Sequence, residues 1–355
     1  MSKLLSAALL LLQGVFGGEV EDRIKRIEGR WKPAQRMTEL HVPGVSIAVV
    51  NGGKLEWARA YGATTETLFQ AASISKPIAA MAALHLAQNG NFTLDEDVNE
   101  KLVSWKIPTN EFMRDDKVTV RRILSHSAGL TVQGFRGYAQ GEPVPSLKQI
   151  LEGEKPANSA PILVDILPGS KWRYSGGGYT IMQQLMIDRM KMPFPQIMNT
   201  IVLRKLGMTH STFEQPLPAD LAATAATGHR EDGKAIAGKW HTYPEMAAAG
   251  LWTTPSDLAL FMIELQESIK GASSQVLERS MANEMVKRQF DEFGLGLVLL
   301  PGAFKHSGSN EGFRAKLYGT LDSGFGVIVM TNSDAGDKLI NEIGGTIEAE
   351  YQLKK

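Results

Sequence analysis

The sequence contains no cysteine, which excludes disulfide bonds, thiolate catalysis and cysteine-ligated metal sites. Its seven histidines form no H-x-x-x-H or H-E-x-x-H pair, so their spacing does not indicate a metal site. The formal net charge is zero, because 38 Lys and Arg residues balance 38 Asp and Glu residues. Without a positive field, the chain has no electrostatic means of collecting nucleic acid. We therefore expect a small-molecule partner, no nucleic acid, no metal and no other cofactor.

Long hydrophobic runs are scarce, and the one at the start of the chain is short. Lys3 precedes an apolar run over 4–16 and the small residues Gly17 and Gly18, which is typical of an export signal over 1–18. Such a run is too short to span a bilayer. It predicts a periplasmic or secreted protein with no stable membrane span after signal removal. Because no A-x-A cleavage site follows, the alternative is a first helix packed on a cytoplasmic protein.

Strand patterns lie near both ends of the 355-residue chain. The β-branched runs 44–50 and 55–61 flank an Asn-Gly-Gly turn, which predicts a β-hairpin. Towards the other end, short apolar stretches separated by Gly, Asp and Ser are typical of an antiparallel meander. These stretches are 293–300, 303–306, 313–321 and 325–331.

Helical patterns fill the middle of the chain. Apolar residues at three- and four-residue spacing predict helices over 73–88, 119–124, 179–190, 194–206, 255–265, 276–287 and 337–351. We therefore expect an α/β (α+β) fold, in which an antiparallel sheet flanked by helices joins the two ends. The expected domains are an α/β sandwich, 19–85 plus 288–355, and an inserted mostly helical domain, 86–287. A site is expected in the cleft between them.

The stretch Gln133 to Pro168 is rich in Gly and Pro and weakly periodic. It predicts a long loop with one short helix near 147–151. Loops of this length often cover sites, and the alternative is a surface excursion without a role.

The candidate nucleophile is Ser73, in the segment Phe69-Gln-Ala-Ala-Ser73-Ile-Ser-Lys76-Pro77. The i, i+3 spacing places Ser73 and Lys76 on one face of the first helical turn, where the hydroxyl and the amine can meet. A lysine activates a serine when burial or a cationic neighbour lowers its pKa, and a helix N-terminus favours an oxyanion. The alternative is Ser73 as a helix N-cap with Lys76 in solvent.

Two more segments complete a pattern of three motifs. Trp172-Arg-Tyr174-Ser-Gly176-Gly-Gly-Tyr179 precedes a helix, and Phe304-Lys-His306-Ser-Gly308-Ser-Asn310-Glu-Gly312-Phe313 joins two strands. With Ser73-x-x-Lys76 they resemble, in order, the S-x-x-K, Y-x-N and K-T-G or H-x-G signatures of the serine β-lactamase and penicillin-binding-protein superfamily. The resemblance covers about 42–332 and is closest to class C β-lactamases, D-aminopeptidases and family VIII esterases. Segments 94–98, 123–130, 249–258 and 293–296 also resemble this superfamily.

The resemblance implies a β-lactamase/transpeptidase-like fold and an acyl-serine mechanism. It makes Ser73 the nucleophile and gives the proton transfers to Lys76 and Tyr174. It also implies an oxyanion hole formed by the backbone N–H groups of Ser73 and Ser309. The implied substrate-binding residues are His306, Gly308 and Gly176.

Each of these residues also has a structural interpretation. Tyr174 is alternatively a core tyrosine, His306 a hydrogen-bonded strand histidine, and the glycines turn residues. His126, in Ser125-His-Ser-Ala-Gly-Leu130, is a further candidate base. The corresponding segment of the relatives is structural, so we expect His126 to have a core or cap role.

Two positions depart from the family pattern. Gly176 stands where Y-x-N places an amide side chain, and His306 stands where many relatives carry lysine. An imidazole is mostly neutral at pH 7 and attracts a carboxylate less than an ammonium does. Both changes weaken the case for a dedicated β-lactamase. The leading hypothesis is a serine hydrolase that acts on small esters or D-amino-acid-type amides. The alternatives are a β-lactamase, a D-alanyl-D-alanine carboxypeptidase, or a β-lactam- or peptide-binding protein that acylates without turnover.

Overall fold

The computed structural model describes residues 18–352. Except for Gly18, the export signal predicted over 1–18 lies outside the described residues. The strands are β1 (Val45–Asn51), β2 (Lys54–Tyr61), β3 (Phe69–Gln70), β4 (Trp252–Thr253), β5 (Val298–Leu300), β6 (Ala303–Asn310), β7 (Phe313–Thr320) and β8 (Gly326–Thr331).

Each helix predicted from the sequence has a counterpart with shifted ends, whereas the helices at 18–31, 33–39, 98–101 and 246–249 are not predicted by it. The helices are α1 (18–31), α2 (Pro33–Glu39), α3 (Ser75–Gln88), α4 (Val98–Lys101), α5 (Val120–Leu124), α6 (Leu147–Glu152), α7 (Gly176–Met190), α8 (Phe194–Met198), α9 (Arg204–Leu206), α10 (Met246–Ala249), α11 (Pro255–Lys270), α12 (Arg279–Met285) and α13 (Gly336–Glu350). A π-helical turn joins α8 to α9. Within residues 18–352, no helix is long and apolar enough to cross a membrane.

A six-stranded sheet in the order β2-β1-β8-β7-β6-β5 organises the fold. All neighbouring strands are antiparallel, and the pairing of β1 with β8 brings the two ends of the chain into one sheet. The predicted sheet and meander are therefore confirmed. The strand expected from residue 293 begins only at Val298, and Gly296 interrupts the extended run with φ 93°.

The turn of the first hairpin needs two residues in the left-handed region. Gly52 and Gly53 supply them, with φ 58° and 73°, while Asn51 ends β1 and pairs with Lys54. This geometry matches the right-handed twist of the two strands. The predicted hairpin is confirmed, with its turn one residue later than the Asn-Gly pair.

Strand β1 is buried on both faces, because helices cover both sides of the sheet. Val45, Ile47 and Val49 pack with hydrophobic residues of α1 and α13, whereas Ala48 and Val50 belong to the main core. This alternation follows from the two-residue period of a strand. Helix α11 packs against β1 and β8 although it lies within the segment 86–287. The domain boundaries themselves stay a prediction.

Helix α7 begins three residues before the predicted start, at Gly176. The hydroxyl of Ser175 accepts the N–H of Gly178 at 3.0 Å and thereby caps the helix. A cap of this kind offsets the poor helix propensity of the three glycines.

Candidate active site

Ser73 lies at the centre of a 3₁₀ turn, Ala72–Ile74, between β3 and α3. Both flanking residues of the turn are buried, whereas Ser73 is partly exposed. Ala72 has φ 49°, a left-handed conformation that costs a non-glycine residue on the order of 1–3 kcal/mol. Strain of this kind concentrates at functional sites. The helix itself begins at Ser75 with Ile74 as its N-cap residue, so the interpretation of Ser73 as a helix N-cap is wrong.

Lys76 is buried, at 2% exposure, and its Nζ lies within hydrogen-bond distance of the Ser73 hydroxyl. Its Nζ lies 3.1 Å from Ser73 Oγ and donates a hydrogen bond of 2.8 Å to the carbonyl of Ala248 in α10. Asn310 of β6 donates to the next carbonyl, that of Ala249, at 3.1 Å. The interpretation of Lys76 as a solvated residue is therefore wrong, and α10 fixes the direction of its side chain.

Tyr174 lies beside Lys76, with Nζ 5.0 Å from the centroid of its ring. The ring is half-buried, and within residues 18–352 its hydroxyl makes no hydrogen bond to protein. By contrast, Tyr179 is fully buried and donates its hydroxyl to the Leu124 carbonyl at 3.1 Å. The core tyrosine of this segment is therefore Tyr179, while Tyr174 faces the site.

His306 points inward from β6 and is buried. Burial and the nearby charge of Lys76 lower the pKa of His306 to about 3. The imidazole is therefore neutral throughout the working pH range and supplies no positive charge to a substrate. Its Nδ1 lies 2.8 Å from the carbonyl oxygen of Ser307, so it also has the partner expected of a strand histidine.

Gly308 lets β6 approach the turn that carries Ser73. A Cβ atom at this position would lie 2.1 Å from the carbonyl oxygen of Ala71 and 3.2 Å from the Cβ of Ala72. Only glycine fits there, because real Cβ atoms do not come so close to backbone. Ser309, the next residue, lines the adjoining cleft.

The loop from Gln133 to Pro168 reaches the start of α7. Its predicted short helix is confirmed as α6, which opens with a capping box of Ser146 and Gln149. A Cβ atom at Gly176 would lie 3.1 Å from both the Gln133 carbonyl oxygen and the ring of Phe135. Phe135 therefore occupies the space that an amide side chain at Gly176 would enter.

A cleft of about 630 Å³ runs along the end of β6. Its lining includes Phe135, Arg136, Tyr243, Ser309 and Asn310. A second cavity, of about 370 Å³, is lined by 130–133 and 172–174. The loop thus contributes to the same cleft as the strand that carries His306. In the described part of the chain, no group of three His, Asp or Glu side chains is arranged to hold a metal ion.

Most of the charges in the cleft neutralise one another. Arg230 pairs with Glu311, and Arg314 pairs with Asp334 at 2.9 Å. Within residues 18–352, Arg136 makes no ion pair, and its side chain is exposed. Among the described residues, Glu231, which also lines the cleft, makes no ion pair either, so the cleft contains one guanidinium and one carboxylate group without an ion-pair partner.

Comparison with known proteins agrees with this geometry. The Beta-lactamase family model matches residues 32–343. Protein flp of Staphylococcus aureus (strain N315) is 24% identical over 341 residues, covering 86% of this chain and 63% of that protein. D-alanine carboxypeptidase AmpC from Burkholderia cenocepacia has a TM-score of 0.72 at 18% identity, covering 93% of this chain and 99% of that one. A class C β-lactamase has a TM-score of 0.72 at 18% identity, with 94% and 97% covered.

The fold and the family match define a protein of the β-lactamase type. The chain belongs to the β-lactamase family, a family of serine hydrolases. The β-lactamase/transpeptidase-like fold predicted from the three motifs is confirmed. The chain spans 63% of the length of the flp relative.

Three features of the site were missed by sequence reasoning. They are the Ala248 carbonyl that binds Lys76, the ring of Phe135 above Gly176, and the guanidinium of Arg136, which makes no ion pair within the described residues. The segment 249–258, which resembles the family, overlaps α10 only at Ala249, and nothing in the sequence indicates that the carbonyl of Ala248 faces Lys76. For Phe135 and Arg136, the sequence indicated only that they lie in a long loop, and no motif pointed to a role in the site.

Proposed function

We propose that this protein hydrolyses its substrate through an acyl-serine intermediate. The observation that carries the proposal is the 3.1 Å contact between the buried Lys76 amine and the hydroxyl of Ser73. A serine hydroxyl becomes a strong nucleophile when a neighbouring base takes its proton as it attacks. No other serine in the three motifs has a lysine in this position.

The reaction divides into two balanced steps. In the first step, Ser73 Oγ forms a bond to the substrate carbonyl carbon while its proton passes to the amine of Lys76. The N–H groups of Ser73 and Ser309 stabilise the oxyanion, and the leaving alcohol or amine departs with a proton delivered through Lys76 and Tyr174. In the second step, water attacks the acyl-serine, which releases the acid and returns the proton to Ser73.

The preferred substrates are small esters, followed by D-amino-acid-type amides. An amide needs its leaving nitrogen protonated and its plane held in register, and Phe135 occupies the space of the side chain that would hold it. One uncharged hydrogen bond contributes roughly 0.5–1.5 kcal/mol, so its loss lowers amide turnover about tenfold. The neutral imidazole of His306 adds to this preference, because it attracts a substrate carboxylate weakly.

A second candidate function is β-lactamase or D-alanyl-D-alanine carboxypeptidase activity. One observation favours it, namely the exposed guanidinium of Arg136 on the cleft that Ser309 also lines. The side chains of His241 and Tyr243 contact the Arg136 carbonyl at 2.9 Å and 3.4 Å, which fixes its backbone. A substrate carboxylate would pair with this arginine where His306 supplies no charge.

Intact-mass spectra read over time test the proposal. The protein is incubated separately with p-nitrophenyl acetate, a cephalosporin and a D-alanyl peptide, and product release is followed in parallel. We expect rapid turnover of the ester, a transient acyl adduct, and neither product nor adduct in Ser73→Ala. Ser274→Ala, which removes an exposed serine, is the matched control and should behave as the wild type.

Each other outcome has a distinct meaning. More than about a hundredth of the wild-type rate in Ser73→Ala would contradict the nucleophile assignment. A stable adduct without further product would identify an acylating binding protein. A higher kcat/KM for the cephalosporin or the peptide than for every ester tried would establish the second candidate.

A further inference from the structure

His126 contacts the Tyr174 segment at three points. Its carbonyl oxygen accepts the N–H of Arg173 at 2.8 Å, and its Nδ1 accepts the N–H of Ser175 at 3.1 Å. Between these two bonds its imidazole stacks on the ring of Tyr174, with centroids 4.2 Å apart and planes 32° from parallel. One residue thus binds both chain neighbours of Tyr174 and the ring itself.

The backbone of His126 is held in an uncommon conformation. Its φ of 59° lies in the left-handed region, which is uncommon for a residue with a side chain. Such a conformation persists only where surrounding contacts hold it. Here those contacts include the bonds to Arg173 and Ser175, so the strain of His126 is coupled to the placement of Tyr174.

The imidazole of His126 is not suited to be a base. Because Nδ1 accepts a backbone N–H, the ring proton lies on Nε2. Nε2 is buried and has no hydrogen-bond partner in the part of the chain that the structure describes. Burial and the charge of Lys76 hold the pKa of His126 well below its usual range. The ring therefore stays neutral and acts through packing and hydrogen bonding.

The orientation of the Tyr174 phenol depends on packing and on hydrogen bonds of the adjoining backbone. Its hydroxyl makes no hydrogen bond to protein within residues 18–352, so only contacts of the ring and the adjoining backbone set its direction. A proton-transfer group must lie within hydrogen-bond reach, and a displacement of about 1 Å costs up to about a hundredfold in rate.

We propose that His126 is a positioning residue that holds the Tyr174 phenol against Ser73 and Lys76. This inference rests on the proposed serine hydrolase function.

The variant His126→Asn separates positioning from folding. Asparagine tolerates a left-handed backbone, and its Oδ1 can still accept the Ser175 N–H, but the ring that stacks on Tyr174 is lost. We expect kcat for p-nitrophenyl acetate to fall about ten- to a hundredfold, while KM changes less than about twofold. The matched control is His85→Asn, which removes a half-buried imidazole from α3 and should leave kcat within about twofold.

The decisive comparison uses the Tyr174→Phe background. If His126 acts through Tyr174, adding His126→Asn there should lower kcat by less than about twofold. Three results would overturn the inference. One is the same fall in kcat in the wild-type and Tyr174→Phe backgrounds. The others are an unchanged kcat in His126→Asn and a change in KM without a change in kcat.

A spectroscopic measurement tests the inference even if the proposed function fails. The protein is labelled with 3-fluorotyrosine, and the Tyr174 line in its ¹⁹F spectrum is assigned by its absence from Tyr174→Phe. In His126→Asn the line should shift and broaden because the ring samples more than one orientation, whereas His85→Asn should leave it unchanged. An unchanged line in His126→Asn would overturn the inference. If the wild type showed no Ser73-dependent turnover, the proposed function would be refuted, but the inference about His126 would not.

Discussion

Two neighbouring regions of the candidate site are built in different ways. The nucleophile corner consists of Ser73, Lys76, Ala248, His306 and Gly308, all of which are buried except the partly exposed Ser73. The cleft rim consists of Phe135 and Arg136, which lie in the long loop and are partly or fully exposed, and of the buried Gly176 at the start of α7. The corner contains the Ser73-x-x-Lys76 motif and one of the two departures from the family pattern, His306, whereas the rim contains the other, Gly176.

The difference follows from what each region must do. Proton transfer tolerates little displacement, so Lys76 is bound at two points and Gly308 brings β6 to van der Waals contact with the nucleophile turn. Substrate choice depends on shape and charge at the rim, where a side chain can change without moving the backbone. Substitutions in the corner should therefore abolish turnover, and substitutions in the rim should redirect it.

The largest effect is expected from the proton-transfer pair. Lys76→Ala and Tyr174→Phe should each lower kcat about 10²- to 10⁴-fold, because each removes a group that moves the serine proton. The double variant should be little worse than the poorer single one, since the two act as a unit. Steady-state kinetics with an activated ester measure this.

Tyr179→Phe is the matched control for the loss of a phenol hydroxyl. It removes one of two hydrogen bonds to the buried Leu124 carbonyl, which keeps the N–H of Gly296 at 3.0 Å. The Tm should therefore fall slightly, while kcat stays within a few-fold of the wild type. If the losses in Lys76→Ala and Tyr174→Phe multiplied in the double variant, a shared role would be ruled out.

The next largest effect on turnover is expected where β6 packs closely against the turn that carries Ser73. Gly308→Ala should lower kcat about 10²-fold or more, because the new methyl group would push β6 away from Ala71 and move the Ser309 N–H from the oxyanion. Kinetics and thermal unfolding should be measured together. Gly345→Ala, on the exposed side of α13 with open space around its Cβ, should keep full activity and raise the Tm slightly. Wild-type turnover in Gly308→Ala would show that β6 is not held in this way.

The sequence predicted the corner better than the rim, for a physical reason. Ser73 and Lys76 are three residues apart, so helical geometry alone brings them together. The Ala248 carbonyl that binds Lys76 is 172 residues away in the sequence, and no local pattern reports such a contact. Likewise, the strands followed from alternation and turn chemistry, while the start of α7 depended on the Ser175 side-chain cap.

Phe135 shows the same limit at the rim. The absence of an amide at Gly176 was visible in the sequence, but the ring that takes its place comes from a loop without periodicity. The sequence did not indicate the three contacts of His126 with the Tyr174 segment either. Its segment predicted a core role, which its burial supports, whereas its stacking on Tyr174 depends on tertiary packing.

A smaller effect is expected at the rim. Gly176→Asn alone should destabilise the protein, because the new side chain would press on the Gln133 carbonyl and on Phe135. Combined with Phe135→Ala, it should raise the ratio of amide to ester turnover about tenfold, which is the value of one hydrogen bond. The ratio of kcat/KM for matched ester and amide substrates measures this. Phe135→Ala alone is the control, and an equal ratio in both variants would mean that the amide does not hold the substrate.

The smallest effect on turnover is expected from a buried carboxyl group close to the corner. Glu245 precedes α10, three residues before Ala248, and is fully buried. Neither carboxyl oxygen has a hydrogen-bond partner within the described residues. Burial raises the pKa of Glu245 from 4.5 to about 8. Because the group takes no part in the proposed steps, Glu245→Gln should leave kcat within about twofold.

The consequence of this buried carboxyl should instead be a pH-dependent stability. Between pH 4.5 and about 8 the carboxyl is neutral in the folded state and ionised in the unfolded state. Its contribution to the free energy of unfolding is therefore full below pH 4.5 and is lost as pH rises to about 8, by up to about 1.4 kcal/mol per pH unit. Glu245→Gln has no such titration, so its free energy of unfolding should fall less than that of the wild type between pH 5 and pH 8. Urea unfolding of both proteins at the two pH values measures the difference. Equal losses in wild type and variant would show that Glu245 ionises in the folded protein as readily as in the unfolded chain.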